Sequence, residues 1–133
     1  MKKQLLLLAL VSSCFVATGA SAMTREEYSA AKQKVEADYK AAKASCDALK
    51  DNAKDVCMKE AKGTEDVAKA ELEAQYQPSA SHTRKVAEEK ADMTYNVAKE
   101  KCDDAQGDAK KACVTQAKAD HDKAKADIKA MKS

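Results

Sequence analysis

The 133-residue chain has no tryptophan, one phenylalanine, one proline and only three glycines. Phe15 and Gly19 fall within the first 22 residues, so the rest of the chain takes its aromatic area from Tyr28, Tyr39, Tyr76 and Tyr95. A large aromatic core is excluded, and so is a row of rings on which bases could stack. There is no P-loop, nucleophile elbow or glycine-rich phosphate cradle. The residue vocabulary also leaves little capacity for a sheet.

Excess charge of one sign is missing too. The chain carries 24 basic and 22 acidic side chains, a formal net charge of +2. Lys2 and Lys3 lie in the amino-terminal segment, and subtracting those two leaves 22 against 22 in the remainder. No basic stripe points to nucleic acid, and charge alone would not hold the protein on an acidic membrane.

What is present is helix-forming. Alanine fills about a fifth of the chain beyond residue 22, with lysine, glutamate and aspartate making up much of the rest. Ala loses no side-chain entropy in a helix, and Lys and Glu lose little. Glu36 and Lys40, Asp55 and Lys59, and Glu65 and Lys69 are spaced four apart with the acid first, a favourable order on a helix surface.

Residues 1–22 read as an export signal. Lys2 and Lys3 precede an apolar run from Leu5 to Val11, and Ala20-Ser21-Ala22 is a small-residue cleavage pattern. Cleavage after Ala22 would deliver a periplasmic protein beginning at Met23. Val11-Ser12-Ser13-Cys14 resembles a lipobox, so lipidation at Cys14 is the alternative, followed by an uncleaved anchor. Only these two forms would involve the membrane.

Beyond the signal the chain repeats itself. Residues 28–77 laid on 84–133 without a gap match at 17 of 50 positions. Chance would give roughly one match in ten for so biased a composition, so the excess marks a tandem repeat. The same offset carries Tyr39 onto Tyr95, Cys46 onto Cys102 and Cys57 onto Cys113.

Four helices are expected. The first runs over 24–50, opened by a Thr24/Glu27 capping box, with Val35, Tyr39, Ala42, Cys46 and Leu49 on one seam. The second runs over 53–76, with Val56, Cys57, Ala61, Val67, Ala68 and Leu72 on one side. Gly63-Thr64 need not break it, because the second copy has Ala119-Asp120 there. The third runs over 82–106 and the fourth over 109–131. Val86, Met93, Val97, Ala98 and Cys102 face inward from the third, and Cys113, Ala117, Ala124, Ile128 and Met131 from the fourth. Repeat 1 spans 23–77, a linker 78–81 and repeat 2 82–133. Pro78 ends a helix and the linker serines can cap the next.

The spacing of each cysteine pair constrains the topology. On an unbroken helix, residues eleven apart would lie about 16 Å apart along the axis. A disulfide needs Cα atoms within about 7 Å. A local Cys46–Cys57 bond therefore requires the chain to fold back between them, and Cys102–Cys113 likewise. The midpoints fall at Asp51-Asn52 and Gly107-Asp108, both turn-compatible. The expected fold is all-α: two tandem helical hairpins, each closed by a disulfide, packed as a four-helix bundle or loosely tethered. The rival pairing joins Cys46 to Cys113 and Cys57 to Cys102. It resembles the arrangement of twin CX9C proteins, with ten intervening residues instead of nine.

Other chemistry finds little footing. Zinc sites usually draw on C-x2-C or H-x3-H spacings, and thiol oxidoreductases on C-x-x-C; neither pattern occurs. His82 reads as an exposed residue at a helix start, and His121 aligns with Glu65, not with another histidine. Tyr39 and Tyr95 read as seam residues with wet hydroxyls. Asp47 and Asp103 read as supports for the turns, and Glu26-Glu27 and Glu88-Glu89 as first-turn acids favoured by the helix dipole. No catalytic, cofactor-binding or metal-binding residue is assigned.

Ala68-Lys69-Ala70-Glu71 and Lys123-Ala124-Lys125-Ala126-Asp127 resemble the Ala/Lys/Glu stalk of TolA. Asn52-Ala53-Lys54-Asp55-Val56-Cys57 and Glu60-Ala61-Lys62-Gly63 resemble small exported Gram-negative proteins often labelled "cell envelope biogenesis protein TolA". The second copy keeps Ala109-Lys110, Cys113 and Ala117-Lys118. That resemblance implies an envelope location but carries no Tol–Pal activity, since the folded carboxy-terminal domain of TolA has no counterpart. The expectation is a non-enzymatic periplasmic helical protein with a structural, interaction or stress-protective role. Its partner would be an unidentified envelope protein or a second copy of itself. The alternatives are a hydration protectant, resembling late-embryogenesis-abundant proteins, and a thiol- or metal-binding module.

Overall fold

Thr24 starts the first helix as its spacing to Glu27 predicts. The Glu27 N–H donates to Thr24 Oγ1 at 3.1 Å and the Thr24 N–H donates to Glu27 Oε2 at 2.8 Å. The Thr24 backbone bond, then its hydroxyl, holds the Glu27 carboxyl below its ordinary value. A depressed carboxyl stabilises the fold above the ordinary carboxylate pKa, and its contribution fades as pH falls through the lowered value. Replacing Thr24 by Ala is expected to cost about 1 kcal/mol. Urea unfolding of the oxidised protein at neutral pH reads this directly, and an unchanged midpoint contradicts it.

In the computed structural model, residues 22–131 are described. The expected signal segment up to Ser21, Cys14 included, falls outside them. Four α-helices follow in order: α1 Arg25–Cys46, α2 Asp51–Tyr76, α3 Ala80–Lys101 and α4 Gly107–Ala130, with a short 3-10 turn at Cys102–Asp104 before α4. There is no strand among the described residues. None of the helices in that range is long and apolar enough to cross a membrane. Gly63 sits inside an unbroken α2.

The largest shifts from the expected boundaries are at the carboxy-terminal ends of α1 and of α3, which stops at Lys101 rather than Gln106, and α3 also starts earlier than expected. α1 stops at Cys46 rather than Lys50, which places Leu49 in the turn, 42% exposed, instead of on the seam. Ser79 Oγ accepts the His82 N–H at 3.1 Å, so α3 begins at Ala80 and the linker shortens to Gln77–Ser79. Glu88-Glu89 lie well inside α3 and not in its first turn, which holds no acidic residue. His82 is half-buried and its Nδ1 meets the Gln77 carbonyl, which removes it from full exposure.

The two reversals use one design. The Leu49 N–H donates to Cys46 O at 3.0 Å, and its counterpart Ala105 donates to Cys102 O at 3.1 Å. Lys54 Nζ meets Asp47 Oδ1 at 2.9 Å across the first bend, and Lys110 meets Asp103 at the same distance across the second. Asp47 and Asp103 thus support the turns. Each return helix opens with a residue in the left-handed region, Asp51 at φ 51° and Gly107 at φ 58°. Gly adopts this conformation freely, whereas an L-residue is strained there. Asp51→Gly is therefore expected to stabilise by about 0.5–1 kcal/mol, and Gly107→Ala to destabilise by a similar amount. Opposite shifts in the urea midpoints of the two oxidised variants test this, and shifts of the same sign contradict it.

The helices pack as sequence neighbours: α1 on α2, α2 on α3, α3 on α4. α1 and α4 share no comparable interface, so the up-down-up-down array is open and centred on α2 and α3. Gly63 makes that central approach possible. A Cβ placed on it would lie 2.8 Å from Met93 Cβ. Along the same seam Asn52 Nδ2 donates to Glu100 O at 3.1 Å, Lys90 meets Glu71 at 2.7 Å and Lys101 meets Glu60 at 3.2 Å.

Six of the eight buried residues in the described range fall in repeat-related pairs; Ala70 and Glu65 are buried in the first repeat alone. Cys46 and Cys102 are each 1% exposed at the turn ends of the hairpins, and Ala61 with its counterpart Ala117, and Leu72 with its counterpart Ile128, are buried farther along α2 and α4. Cys46 and Cys102 thus occupy the innermost positions of a core otherwise made largely of alanine.

Candidate functional site

The four repeat cysteines pair locally. Cys46 bonds to Cys57 with Cα atoms 5.5 Å apart, and Cys102 to Cys113 at 5.6 Å. The crossed pairing is therefore not the one formed. Each bond joins the end of one helix to the second turn of the next, locking two antiparallel helices side by side.

Between the locked helices each hairpin leaves a groove. In the first, of about 340 Å³, Val35, Tyr39 and Ala42 of α1 face Ala61 and Ala68 of α2, with Cys46 and Cys57 at one end. In the second, of about 460 Å³, Ala91, Tyr95 and Ala98 of α3 face Ala117 and Ala124 of α4. Position by position these are equivalent under the repeat, with the same residue at each except Val35, whose counterpart is Ala91. Alanine walls explain the space: two helices pinned by a disulfide and faced with methyl groups cannot fill the crevice between them.

One polar position lies in the middle of each groove. In the first it is Glu65, 7% exposed. Lys69 Nζ donates to Oε1 at 2.6 Å and Lys62 Nζ to Oε2 at 3.2 Å. Burial pushes the Glu65 carboxyl up, but the hydrogen bonds and charges of Lys69 and Lys62 outweigh it and hold the group below its ordinary value. The lysine side chains themselves cover the carboxylate, which is why it is shielded from solvent in so thin a protein. In the second groove the equivalent residue is His121. Its ring stacks on Tyr95 with centroids 4.6 Å apart, and Nε2 meets Asp92 Oδ1 at 2.6 Å.

Tyr39 and Tyr95 are both half-buried seam residues, as their repeat positions imply. Lys43 Nζ lies 5.3 Å from the Tyr39 ring centre, a cation–π contact. The far end of the first hairpin is closed by Tyr28 and Tyr76, stacked at 4.4 Å. The Tyr28 hydroxyl donates to Glu73, and that bond raises its pKa. The second hairpin has no aromatic pair at that end; Arg84 takes the place of Tyr28 and its Nη2 donates to Met131 O at 3.0 Å.

The Tyr95–His121–Asp92 set is the feature that reading the sequence missed. Its signal was available: seven residues back from Cys102 and eight forward from Cys113 reach Tyr95 and His121. Once the disulfide sets an antiparallel register, those two must meet. His82 is not drawn into the set; it lies in the first turn of α3. Among the described residues no three His, Cys, Asp or Glu side chains converge as a metal would require. The arrangement offers two apolar crevices with a shielded polar group in each, a surface suited to contact. No protein-family model matches the chain, and neither a curated protein nor a solved structure matches it.

Proposed function

We propose that this chain is a non-enzymatic, exported helical protein of the periplasm that works by holding a helical segment of another envelope protein in its grooves. The observation that carries the reading is the duplication of one crevice, lined from equivalent repeat positions, in two separately stapled hairpins. Helix-in-groove recognition needs a rigid apolar trough the width of one helix, and alanine walls allow close backbone approach. The acids along the first groove already have lysine partners, Asp38 with Lys34, Glu60 with Lys101 and Glu65 with Lys62 and Lys69. Its complement is therefore an amphipathic helix selected by its apolar stripe. The export pattern in residues 1–22 supplies the compartment, and four cysteines suit an oxidising one.

A photoreactive side chain at Ala42 or Ala98, in intact cells, tests the contact. Discrete adducts are expected from both groove positions and none from Lys34 or Lys118 on the outer faces. Ala68→Lys is expected to remove the adduct at Ala42. Equal cross-linking from the outer faces, or none from the grooves, overturns the reading. The intact mass of envelope material checks the compartment. A chain starting at Met23 is expected, whereas a lipidated chain starting at Cys14 would assign the anchored form.

A further inference from the structure

Both disulfides are lopsided in the same way. Cys46 and Cys102, at the carboxy-terminal ends of the α1 and α3 rods, are each 1% exposed. Their partners Cys57 and Cys113, in the second turns of α2 and α4, are only half-buried. Exchange requires an incoming thiolate to reach one sulfur nearly in line with the bond that breaks, so access decides which sulfur is attacked. We propose that Cys57 and Cys113 are the thiol-exchange sites of this protein, the sulfurs at which an external thiolate forms a mixed disulfide with the folded chain.

The step is a simple displacement. The thiolate attacks Cys57 Sγ, a new S–S bond forms, and the Cys46–Cys57 bond breaks. The bonding pair leaves on Cys46 Sγ, which takes a proton from water. The incoming thiol is oxidised and Cys46 is reduced. The same step at Cys113 releases Cys102. A helix carboxy-terminus is a poor place for a thiolate, so leaving-group preference alone would favour attack in the opposite sense. That preference changes the rate gradually, whereas a cysteine left only 1% exposed as a whole residue keeps its sulfur out of reach until the chain opens around it. Access therefore sets the direction. The released Cys46 or Cys102 thiol stays beside the mixed disulfide and can displace the adduct, which protects the staple from net reduction. Agreement between the two repeats makes this a property of the hairpin design and not of one turn.

The test uses the oxidised full chain without denaturant. One arm supplies reduced glutathione. The other supplies a C-x-x-C dithiol oxidoreductase whose second cysteine is replaced by serine, so that its mixed disulfide persists. Each reaction is quenched in acid, free thiols are alkylated and the sites mapped by mass. Adducts are expected on Cys57 and Cys113 and alkylation on Cys46 and Cys102, with a bias of at least about tenfold. Adducts in the glutathione arm alone would limit the donor to small thiols, and adducts in both would extend it to proteins; either result supports the assignment. Equal adduct formation on the two sulfurs overturns it, as do adducts mainly on Cys46 or Cys102, or adducts that form only when denaturant unfolds the chain. Urea dependence of the exchange rate is the second readout: exchange from the folded state is nearly flat at low urea, whereas exchange through global unfolding rises with the full unfolding slope.

Discussion

Removing the Cys46–Cys57 bond, as the double variant Cys46→Ser/Cys57→Ser, is expected to cost about 3 kcal/mol and to release α1 before the rest of the fold. The chain-entropy argument gives this size for a loop of about a dozen residues. Small domains have only about 5–15 kcal/mol in total, and this one has few large buried side chains beyond Leu72 and Ile128. The loss should be local because α1 packs on α2 and on no other helix to a comparable extent. What then holds α1 is the Tyr28–Tyr76 stack, the Tyr28–Glu73 hydrogen bond and the alanine contacts of the first groove. Amide hydrogen exchange should show protection collapsing over 25–46 while α2 and α3 keep theirs, since units with few neighbours open first. The matching variant at Cys102 and Cys113 should release α4 in the same way. Uniform loss of protection through all four helices would show that the array folds as a single unit, and an unchanged urea midpoint would show that the bond adds no stability.

That local character follows from features visible in the sequence. Composition announced the helices, the Thr24/Glu27 pair announced the first start, and the cysteine interval required a reversal in each repeat. The interval did not give the position of the bend. The bond joins the last residue of α1 to the second turn of α2, so the reversal is displaced toward the first cysteine and Leu49 is left in it. Symmetry about the midpoint is not a physical requirement; a left-handed residue at the start of the return helix is what the chain needs. Asp51 and Gly107 meet that need and were conspicuous for the right reason, although they end the turn and do not centre it. The grooves were half legible. Tyr39, Ala42, Tyr95 and Ala98 were placed on seams, but periodicity treats an alanine seam as filled, while methyl groups leave it open. The central seam was the least legible. Gly63 and Met93 have no like counterparts in the other repeat, where Ala119 and Ala37 stand, so self-comparison is silent about the one interface that occurs once.

That interface carries the other large expected effect. Gly63→Ala should destabilise by about 1–3 kcal/mol, although alanine is the better helix former by about 1 kcal/mol. An added Cβ would sit 2.8 Å from Met93 Cβ and closer still to Met93 Cγ. Cβ is fixed by the backbone, so no rotamer change at Met93 relieves the clash. α2 and α3 would have to separate, loosening the Asn52–Glu100 hydrogen bond and the alignment of Lys90 with Glu71. In an exposed helix the same substitution would stabilise, so the sign of the change reports whether the two helices touch. Met93→Gly removes the opposing Cβ and should restore part of the loss when combined with Gly63→Ala, a coupling of about 0.5–3 kcal/mol in a double-mutant cycle of urea midpoints. Stabilisation by Gly63→Ala alone would mean that the hairpins stand apart in solution. Strict additivity with Met93→Gly would mean that the two positions do not meet. Either result would leave the two grooves on independent hairpins joined only through Gln77–Ser79.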